Sequence, residues 1–338
     1  MRVGRRRFLF LALGGGAALG LAAAPAVRRV KERSGAQAVT RTSWALGSDV
    51  SLTVLGLPRA EAELALEAAF FELETVEAAM SLYRPESELA RLNRDKVIDR
   101  PHPYFLAVLK VAQQMAEQSG GAFDITVQPL WSLYSQAKKQ GRLPAAAEIA
   151  AARSQVDWRR VEVSPQQIRL RGVGTEITLN GIAQGFAADR ALAALRDHGV
   201  EHALVNAGEI GSLGNKPSGE GWKVGIQHPR EPEAYLSLAR LGGRSLATSG
   251  DYETAFSSDF RANHIFDPST GASPHELASV SIAAPTATQA DALSTAVMVL
   301  GAERGLQLIA GLPGIDALLA LKDGRTLATV GFPRATEA

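Results

Sequence analysis

The 338-residue sequence contains no cysteine. This absence excludes disulfide bonds, iron–sulfur clusters, thiolate zinc sites, covalently attached c-type haem and cysteine nucleophiles. Any catalytic group must therefore be an oxygen or nitrogen side chain. The sequence also lacks an excess of charge of either sign, with 36 Lys and Arg against 35 Asp and Glu. Because nucleic-acid binders usually carry a clustered basic excess, we expect no nucleic-acid partner.

Several common catalytic motifs are missing as well. Neither a Gly-x-Ser-x-Gly elbow nor a Gly-x-x-x-x-Gly-Lys phosphate loop occurs. The familiar hydrolase and ATPase schemes are therefore unsupported. Hydrophobic residues make up 46% of the chain, which is enough for a large core in one large domain or two ordinary ones.

The N-terminus has the pattern of an export signal. Arg5, Arg6 and Arg7 precede an apolar stretch from residue 8 to 24, and Ala24-Pro25-Ala26 supplies small residues for cleavage. The order Arg-Arg-x-Phe-Leu resembles a twin-arginine signal. We expect residues 1–26 to direct the protein to the periplasm. Cleavage would change the formal net charge from +1 to −3 and leave no stable membrane span, whereas an uncleaved signal would act as an anchor.

The periodicity of apolar residues predicts a mixture of helices and strands. Alternation from Val50 to Val54 is typical of a half-buried strand, and a 3.6-residue period predicts an amphipathic helix over residues 59–83. Short strands dominate after residue 156, and no regular βαβ order appears, which favours an α+β fold. Further elements are predicted as follows: a helix ending at Ser119-Gly120-Gly121, strands at 176–179, 203–205, 264–266 and 278–284, and helices at 182–198 and 288–300.

Asp291 and Thr295 are four residues apart in the predicted helix at 288–300, so their side chains share one helix face. A carboxylate and a hydroxyl are ligands for a hard cation, and Mg²⁺ typically takes one or two such ligands beside water and phosphate. An ordinary structural interpretation is also open. The Asp291 carboxylate could interact favourably with the positive end of the helix dipole, and the Thr295 hydroxyl could donate a hydrogen bond to a backbone carbonyl of its own helix.

Two glycine-containing turns are further candidates. The stretch from Thr178 to Phe186 runs from a strand into a helix, and such a junction can bind a pyrophosphate through backbone N–H groups. The run Gly120-Gly121-Ala122-Phe123-Asp124 could approach a flat ligand closely and offer a carboxylate acceptor. Either turn could instead be only a tight connection or a helix cap.

Among the six histidines, His264 is the candidate general base. It opens the segment from His264 to Gly271, a short apolar run followed by a polar turn. An imidazole in such a place can accept a proton at neutral pH.

Taken in order, eight segments resemble the ApbE family, the FAD:protein FMN transferases. Any one of them would be a weak signal, but their common order over residues 45–301 is specific. They are Ala45 to Ser48, Met80 to Tyr83 with Ser87 to Asn93, Gly121 to Leu130, Gly181 to Phe186, Leu204 to Gly208, Ser249 to Tyr252, His264 to Gly271, and Ala290 to Thr295.

The resemblance implies an ApbE-like α+β fold over residues 36–338, built from two intimately packed lobes at about 36–155 and 156–338. It implies that FAD is the substrate and that Mg²⁺ is held by Asp291, Thr295 and the carbonyl of Gly181. His264 would take a proton from an acceptor threonine, and AMP would leave. The residues implied to bind the flavin nucleotide are Leu46, Tyr83, Ala122, Phe123, Asp124, Thr178, Gln184 and Ile265.

The sequence departs from the family pattern at several of these positions. The family usually has Met-Gly-Thr where this chain has Leu46-Gly47-Ser48, and Gly-Gly where it has Asn180-Gly181. It usually has an Asp at the position of Thr178 and a Lys at the position of Gln184. Two charges near the implied nucleotide contacts are therefore lost. Two other functions stay open: an FAD pyrophosphatase that uses water as the acceptor, and a non-catalytic FAD-binding assembly factor.

The departures also suggest a branch within the family. The form Leu-Asn-Gly-Ile-Ala-Gln-Gly at residues 179–185, with the twin-arginine leader, resembles the NosX branch. That likeness implies a role in maturing the nitrous oxide reduction system, with the membrane protein NosR as the acceptor of FMN.

Overall fold

The computed structural model describes residues 38–335, so the predicted leader at 1–26 lies outside the described residues. The helices are α1 (Arg59–Met80), α2 (Glu88–Asp95), α3 (Pro103–Gln118), α4 (Gln128–Lys139), α5 (Ala146–Arg153), α6 (Ala183–Asp197), α7 (Ala287–Leu300) and α8 (Ala302–Ala310). The strands are β1 (Val39–Ala45), β2 (Ser48–Leu55), β3 (Val97–Asp99), β4 (Val161–Val163), β5 (Gln167–Leu170), β6 (His202–Asn206), β7 (Ile210–Leu213), β8 (Trp222–Gln227), β9 (Tyr235–Leu241), β10 (Ser245–Gly250), β11 (Leu277–Ala284), β12 (Asp316–Leu321) and β13 (Thr326–Ala328).

An eight-stranded sheet forms the centre of the fold, in the order β1-β2-β6-β7-β10-β11-β12-β13. Its neighbouring strands are antiparallel throughout. Strands β3, β5 and β4 form a separate small sheet, and β8 and β9 form a hairpin. The α+β class predicted from the sequence is therefore confirmed. Strands β1 and β2, from before residue 156, pair into the same sheet as β6, from after it.

Each face of the central sheet is covered by a different layer. Val205 on β6 faces a core that it shares with helices α1, α6 and α7, and the next residue back, Leu204, faces a second core. The second core includes Trp222 and Ile226 from the β8–β9 hairpin. The two-residue period of a strand explains this division, because successive side chains point to opposite faces.

Helices α6 and α7 pack closely and cap each other. Asp189 on α6 accepts hydrogen bonds from the first amides of α7, at 2.7 Å from Ala287 N and 2.8 Å from Thr288 N. Burial raises the pKa of Asp189, and the hydrogen bonds from Thr288 and Ala287 partly oppose that rise. In return, Asp291 on α7 accepts from Gly185 N on α6 at 2.9 Å. Each helix thus supplies a carboxylate that accepts hydrogen bonds from N–H groups in the first turn of the other helix, which have no partner within their own helix.

We expect Gly185→Ala to separate these helices. A Cβ at residue 185 would lie 2.3 Å from the carbonyl oxygen of Ala287 and 2.8 Å from Asp291 Cβ, and the Ala287 oxygen belongs to the helix backbone. Overpacking of this kind costs about 1–3 kcal/mol, so the free energy of unfolding should fall by about that amount. Urea denaturation measures it.

Gly311→Ala is the matched control for Gly185→Ala, because a Cβ there meets only Leu308 O at an ordinary 3.6 Å. That variant should change the free energy of unfolding by less than about 1 kcal/mol. Equal stability of the two variants would contradict the close α6–α7 packing.

Most predicted elements are present, but two predicted strands are wrong. Residues 176–179 and 264–266 form no ladder. Around residue 177 the backbone bonds to the side chain of Asn93 and to Ile125 O, and the amide of His264 bonds to Thr254 O in an irregular loop. Both segments are extended and partly apolar, as strands are, and this explains the prediction. Neither segment has a strand beside it with which to pair. Within residues 38–335, no helix is both long and apolar enough to cross a membrane.

Candidate active site

The site begins at Asp291 and Thr295, which lie one turn apart on α7. Asp291 is 2% exposed, and its Oδ2 accepts from Gly185 N. Thr295 is partly buried and faces Gly181, where a Cβ would lie only 2.9 Å from Thr295 Oγ1. The backbone of Gly181 is therefore beside the threonine hydroxyl, and only glycine leaves that hydroxyl undisturbed. The structure brings together the three residues predicted to hold a cation.

A third hydroxyl lies beside this group, on the end of β10. Ser249 Oγ is 3.2 Å from Thr295 Oγ1 and 2.7 Å from Ser294 Oγ. Sequence reasoning placed Ser249 in a family motif but did not assign it to the site. Only the pairing of β10 with β11 and the packing of α7 bring it within reach of Thr295.

The segment that leads to Gly181 is held in place by Asn93 of α2. The Asn93 side chain donates to Ile177 O and accepts from Ile177 N, both at 2.8 Å. An amide side chain thus takes the place of a neighbouring strand. Thr178 N donates to Ile125 O, also at 2.8 Å, so Thr178 lies beside the turn that follows Asp124. Asn93 is a positioning residue that sequence reasoning left unassigned, although it closes one of the eight motifs.

Leu46 and Gln184 meet at the other side of the α6 N-terminus. Gln184 Nε2 donates to Leu46 O at 3.4 Å, and a Cβ on Gly208 would collide with the Gln184 amide. Leu46 has a left-handed backbone with φ of 53°, and its amide donates to Glu77 Oε2 at 3.2 Å. Tyr83 is 70% exposed in the loop after α1, so its ring is accessible to a ligand.

The side chain of Asp124 points into the protein interior. Its Oδ1 accepts from Thr126 N at 2.7 Å and its Oδ2 accepts from Trp158 N at 3.0 Å. Burial raises the pKa of Asp124, and the bonds from Thr126 and Trp158 counteract part of that rise. The carboxylate thus caps the short helical turn at Ile125–Val127.

Phe123 joins the Asp124 turn to the residues predicted to hold a cation. It is 3% exposed, and its Cε2 would lie 3.5 Å from a Cβ on Gly181. The adjacent Ala122 is partly buried. The two glycine-containing turns predicted separately from the sequence therefore adjoin in space.

His264 and Ile265 belong to a loop that starts where β10 ends. The amide of His264 donates to Thr254 O at 3.0 Å, and that of Ile265 donates to Asn263 Oδ1 at 3.0 Å. Asn263 is fully buried, so this part of the loop is anchored in the protein. His264 is partly buried, and residues 250–263 connect it along the chain to Ser249.

The donor atoms at Asp291, Thr295 and Gly181 suit a magnesium ion. All three are oxygens, and only one carries a charge, which leaves positions for phosphate oxygens and water. Within residues 38–335, no three His, Asp or Glu side chains are grouped as metal ligands. A cation at this place would therefore depend on hydroxyl and carbonyl oxygens beside one carboxylate, which is unsuitable for zinc.

Comparison with known proteins gives a consistent family. The model of the ApbE family matches residues 46–319. An FAD:protein FMN transferase from Treponema pallidum is 35% identical over 302 residues, covering 81% of this chain and 82% of that protein. One from Escherichia coli K12 is 29% identical over 276 residues and covers 78% of each chain.

Solved structures agree with the sequence comparison. The ApbE protein of Thermotoga maritima superimposes with a TM-score of 0.78 at 30% identity, covering 88% of this chain and all of that one. The flavin transferase ApbE of Vibrio cholerae superimposes with a TM-score of 0.76 at 26% identity, covering 88% and 98%.

Proposed function

The chain belongs to the ApbE family, and we infer that it is an FAD:protein FMN transferase. We propose that it moves FMN from FAD to a threonine hydroxyl of an acceptor protein with Mg²⁺ bound. The observation that carries the proposal is the buried Asp291 carboxylate one turn from Thr295, with Gly181 against the threonine hydroxyl. This group can hold a hard cation where a diphosphate would meet the N-terminus of α6.

Asp291, Thr295 and the Gly181 carbonyl would hold the ion. When bound, Mg²⁺ would neutralise charge on the diphosphate oxygens. The first amides of α6 add the positive end of a helix dipole on the same side, although Gly185 N already donates to Asp291. Leu46, Gln184 and Tyr83 would bind the nucleotide.

In the chemical step, the acceptor threonine oxygen attacks the phosphorus of the FMN half of FAD. His264 accepts the proton of that hydroxyl as the new P–O bond forms. The bond from this phosphorus to the oxygen of the AMP phosphate breaks, and AMP departs with the electron pair. The proton is then released from His264, so one FAD and one threonine yield AMP and an FMN–threonine phosphoester.

We also propose that the acceptor is exported or membrane-bound. The support is the twin-arginine pattern from Arg5 to Leu9, which would place this protein in the periplasm. The sequence at 179–185 supports the NosX branch, with NosR as the acceptor.

Intact-mass measurement tests the transferase function. The mature protein is incubated with FAD, Mg²⁺ and a soluble acceptor domain that carries the target threonine. We expect the acceptor mass to increase by one FMN, with AMP released. An acceptor in which that threonine is replaced by valine is the matched control and should gain no mass.

The two alternative functions give different products in the same experiment. Free FMN and AMP without any acceptor would indicate a pyrophosphatase. Tight FAD binding without AMP release would indicate an assembly factor, and either result would contradict the transferase proposal.

A further inference from the structure

One buried carboxylate near the site has no part in the proposed chemistry. Asp251 is 0% exposed and follows β10 two residues after Ser249, whose hydroxyl contacts Thr295. The loop that starts at Asp251 continues to His264. Asp251 therefore stands at the junction between the cation-site residues and the candidate base.

Two cations from distant parts of the chain neutralise Asp251. Arg230, between β8 and β9, binds it with both terminal nitrogens, at 2.7 Å to Oδ1 and 2.8 Å to Oδ2. Lys322, directly after β12, lies 3.2 Å from Oδ2. Burying a charged group is costly unless it is well paired, and an apolar group of similar volume is often at least as stable. Stability alone thus gives no reason for three charges here.

The same two cationic side chains also contact Phe260, which lies in the loop between Asp251 and His264. The Arg230 guanidinium carbon lies 4.5 Å from the centre of the Phe260 ring. Lys322 Nζ donates to Phe260 O at 3.0 Å, and Asn263 Nδ2 donates to the same oxygen at 3.1 Å. Phe260 has a φ of 59°, a conformation that L-residues seldom adopt without surrounding contacts.

The turn at Phe260 determines where His264 lies. Beyond it, the chain returns along itself: Phe256 N donates to Ala262 O at 2.7 Å, and His264 N donates to Thr254 O at 3.0 Å. A shift of the turn would therefore move His264 relative to Ser249, the residue at the end of β10 whose hydroxyl contacts Thr295.

We propose that Asp251, Arg230 and Lys322 form a charge clamp that positions His264 against the cation site. They are positioning residues, since none is assigned a contact with the reacting atoms. The inference rests on the proposed function, in which His264 is the base. It also makes a structural prediction that is independent of turnover.

Lys322→Met tests the charge clamp while leaving the paired Arg230–Asp251 contact intact. We expect amide hydrogen exchange at Phe256 and His264 to become at least about tenfold faster, because the turn loses the hydrogen bond from Lys322 to Phe260 O. We expect kcat for transfer to fall about tenfold, with FAD affinity within about twofold of the wild type. Lys322→Arg should restore most of kcat, since it keeps the charge.

Arg325→Met is the matched control on the same β12–β13 hairpin. Arg325 pairs with Asp323 at 2.8 Å, and both side chains are exposed. This variant should leave exchange and transfer unchanged. Phe260→Leu is a second test, because it removes the ring under Arg230 without removing any charge, and it should show the same signature as Lys322→Met.

Unchanged exchange at Phe256 and His264 in both test variants would overturn the charge clamp. A parallel loss of FAD affinity and kcat would also overturn it, because that pattern indicates general loosening of the fold. If the wild type transfers no FMN but exchange still accelerates in Lys322→Met, the proposed function fails and the positioning of His264 stands.

Discussion

Asp291→Asn should abolish most of the magnesium-dependent affinity for FAD while the protein remains folded. Asparagine has the same shape, and its side-chain oxygen can still accept from Gly185 N, so the α6–α7 contact is retained. The negative charge, however, is lost. Removing a charged ligand from a bound cation costs several kcal/mol, so we expect at least about a 100-fold loss of affinity. Calorimetric titration of FAD with Mg²⁺ and with EDTA measures it.

A surface carboxylate on α6 provides the control for Asp291→Asn. Asp197 is exposed at the end of α6, and Asp197→Asn makes the same change of charge away from the proposed cation site. It should leave FAD affinity within about twofold. Unchanged magnesium-dependent FAD affinity in Asp291→Asn would contradict the proposed role of Asp291 as a cation ligand.

His264→Gln should leave FAD binding intact and nearly eliminate transfer. Glutamine fills similar space, but it cannot accept a proton at neutral pH. Positioned general bases contribute about 10²–10⁴ in rate, and we expect the single-turnover rate at saturating FAD to fall by that range. FAD affinity should stay within about threefold, because in the proposed function the imidazole acts on the acceptor hydroxyl and not on FAD. Quenched-flow measurement of AMP release in the presence of acceptor gives the rate.

His275→Gln is the control for this result, since His275 is an exposed histidine in the chain just after the same loop. It should retain full activity. Transfer at the wild-type rate in His264→Gln would show that the proton leaves by another route, and His264 would then lose its role as base.

The arrangement of the α7 pair could be predicted because it depends only on local geometry. Four residues of helix always return to the same face, so Asp291 and Thr295 had to project together once the helix formed. The signal for the helix, its apolar period, is equally local. The structure places both residues on one turn of α7, as predicted.

The misassigned strands show where such reasoning fails. Residues 176–179 have the composition of a strand, but the partner that satisfies Ile177 is the side chain of Asn93, 84 positions earlier. Composition reports the tendency of a segment to be extended and contains no information on what lies beside it. The same reason explains the loop around His264, whose hydrogen bonds are made within an irregular turn.

For this protein, the sequence by itself determined the family, the α+β class and the local pairing of Asp291 with Thr295. These follow from the order of motifs and from helix and strand periods, both of which are properties of short segments. Only the tertiary structure decided that Gly181 and Ser249 meet Thr295, that Asp124 points inward, and that Arg230 and Lys322 meet on Asp251. Contacts between distant segments depend on how the sheet orders its strands and how helices pack on it, which no local pattern specifies.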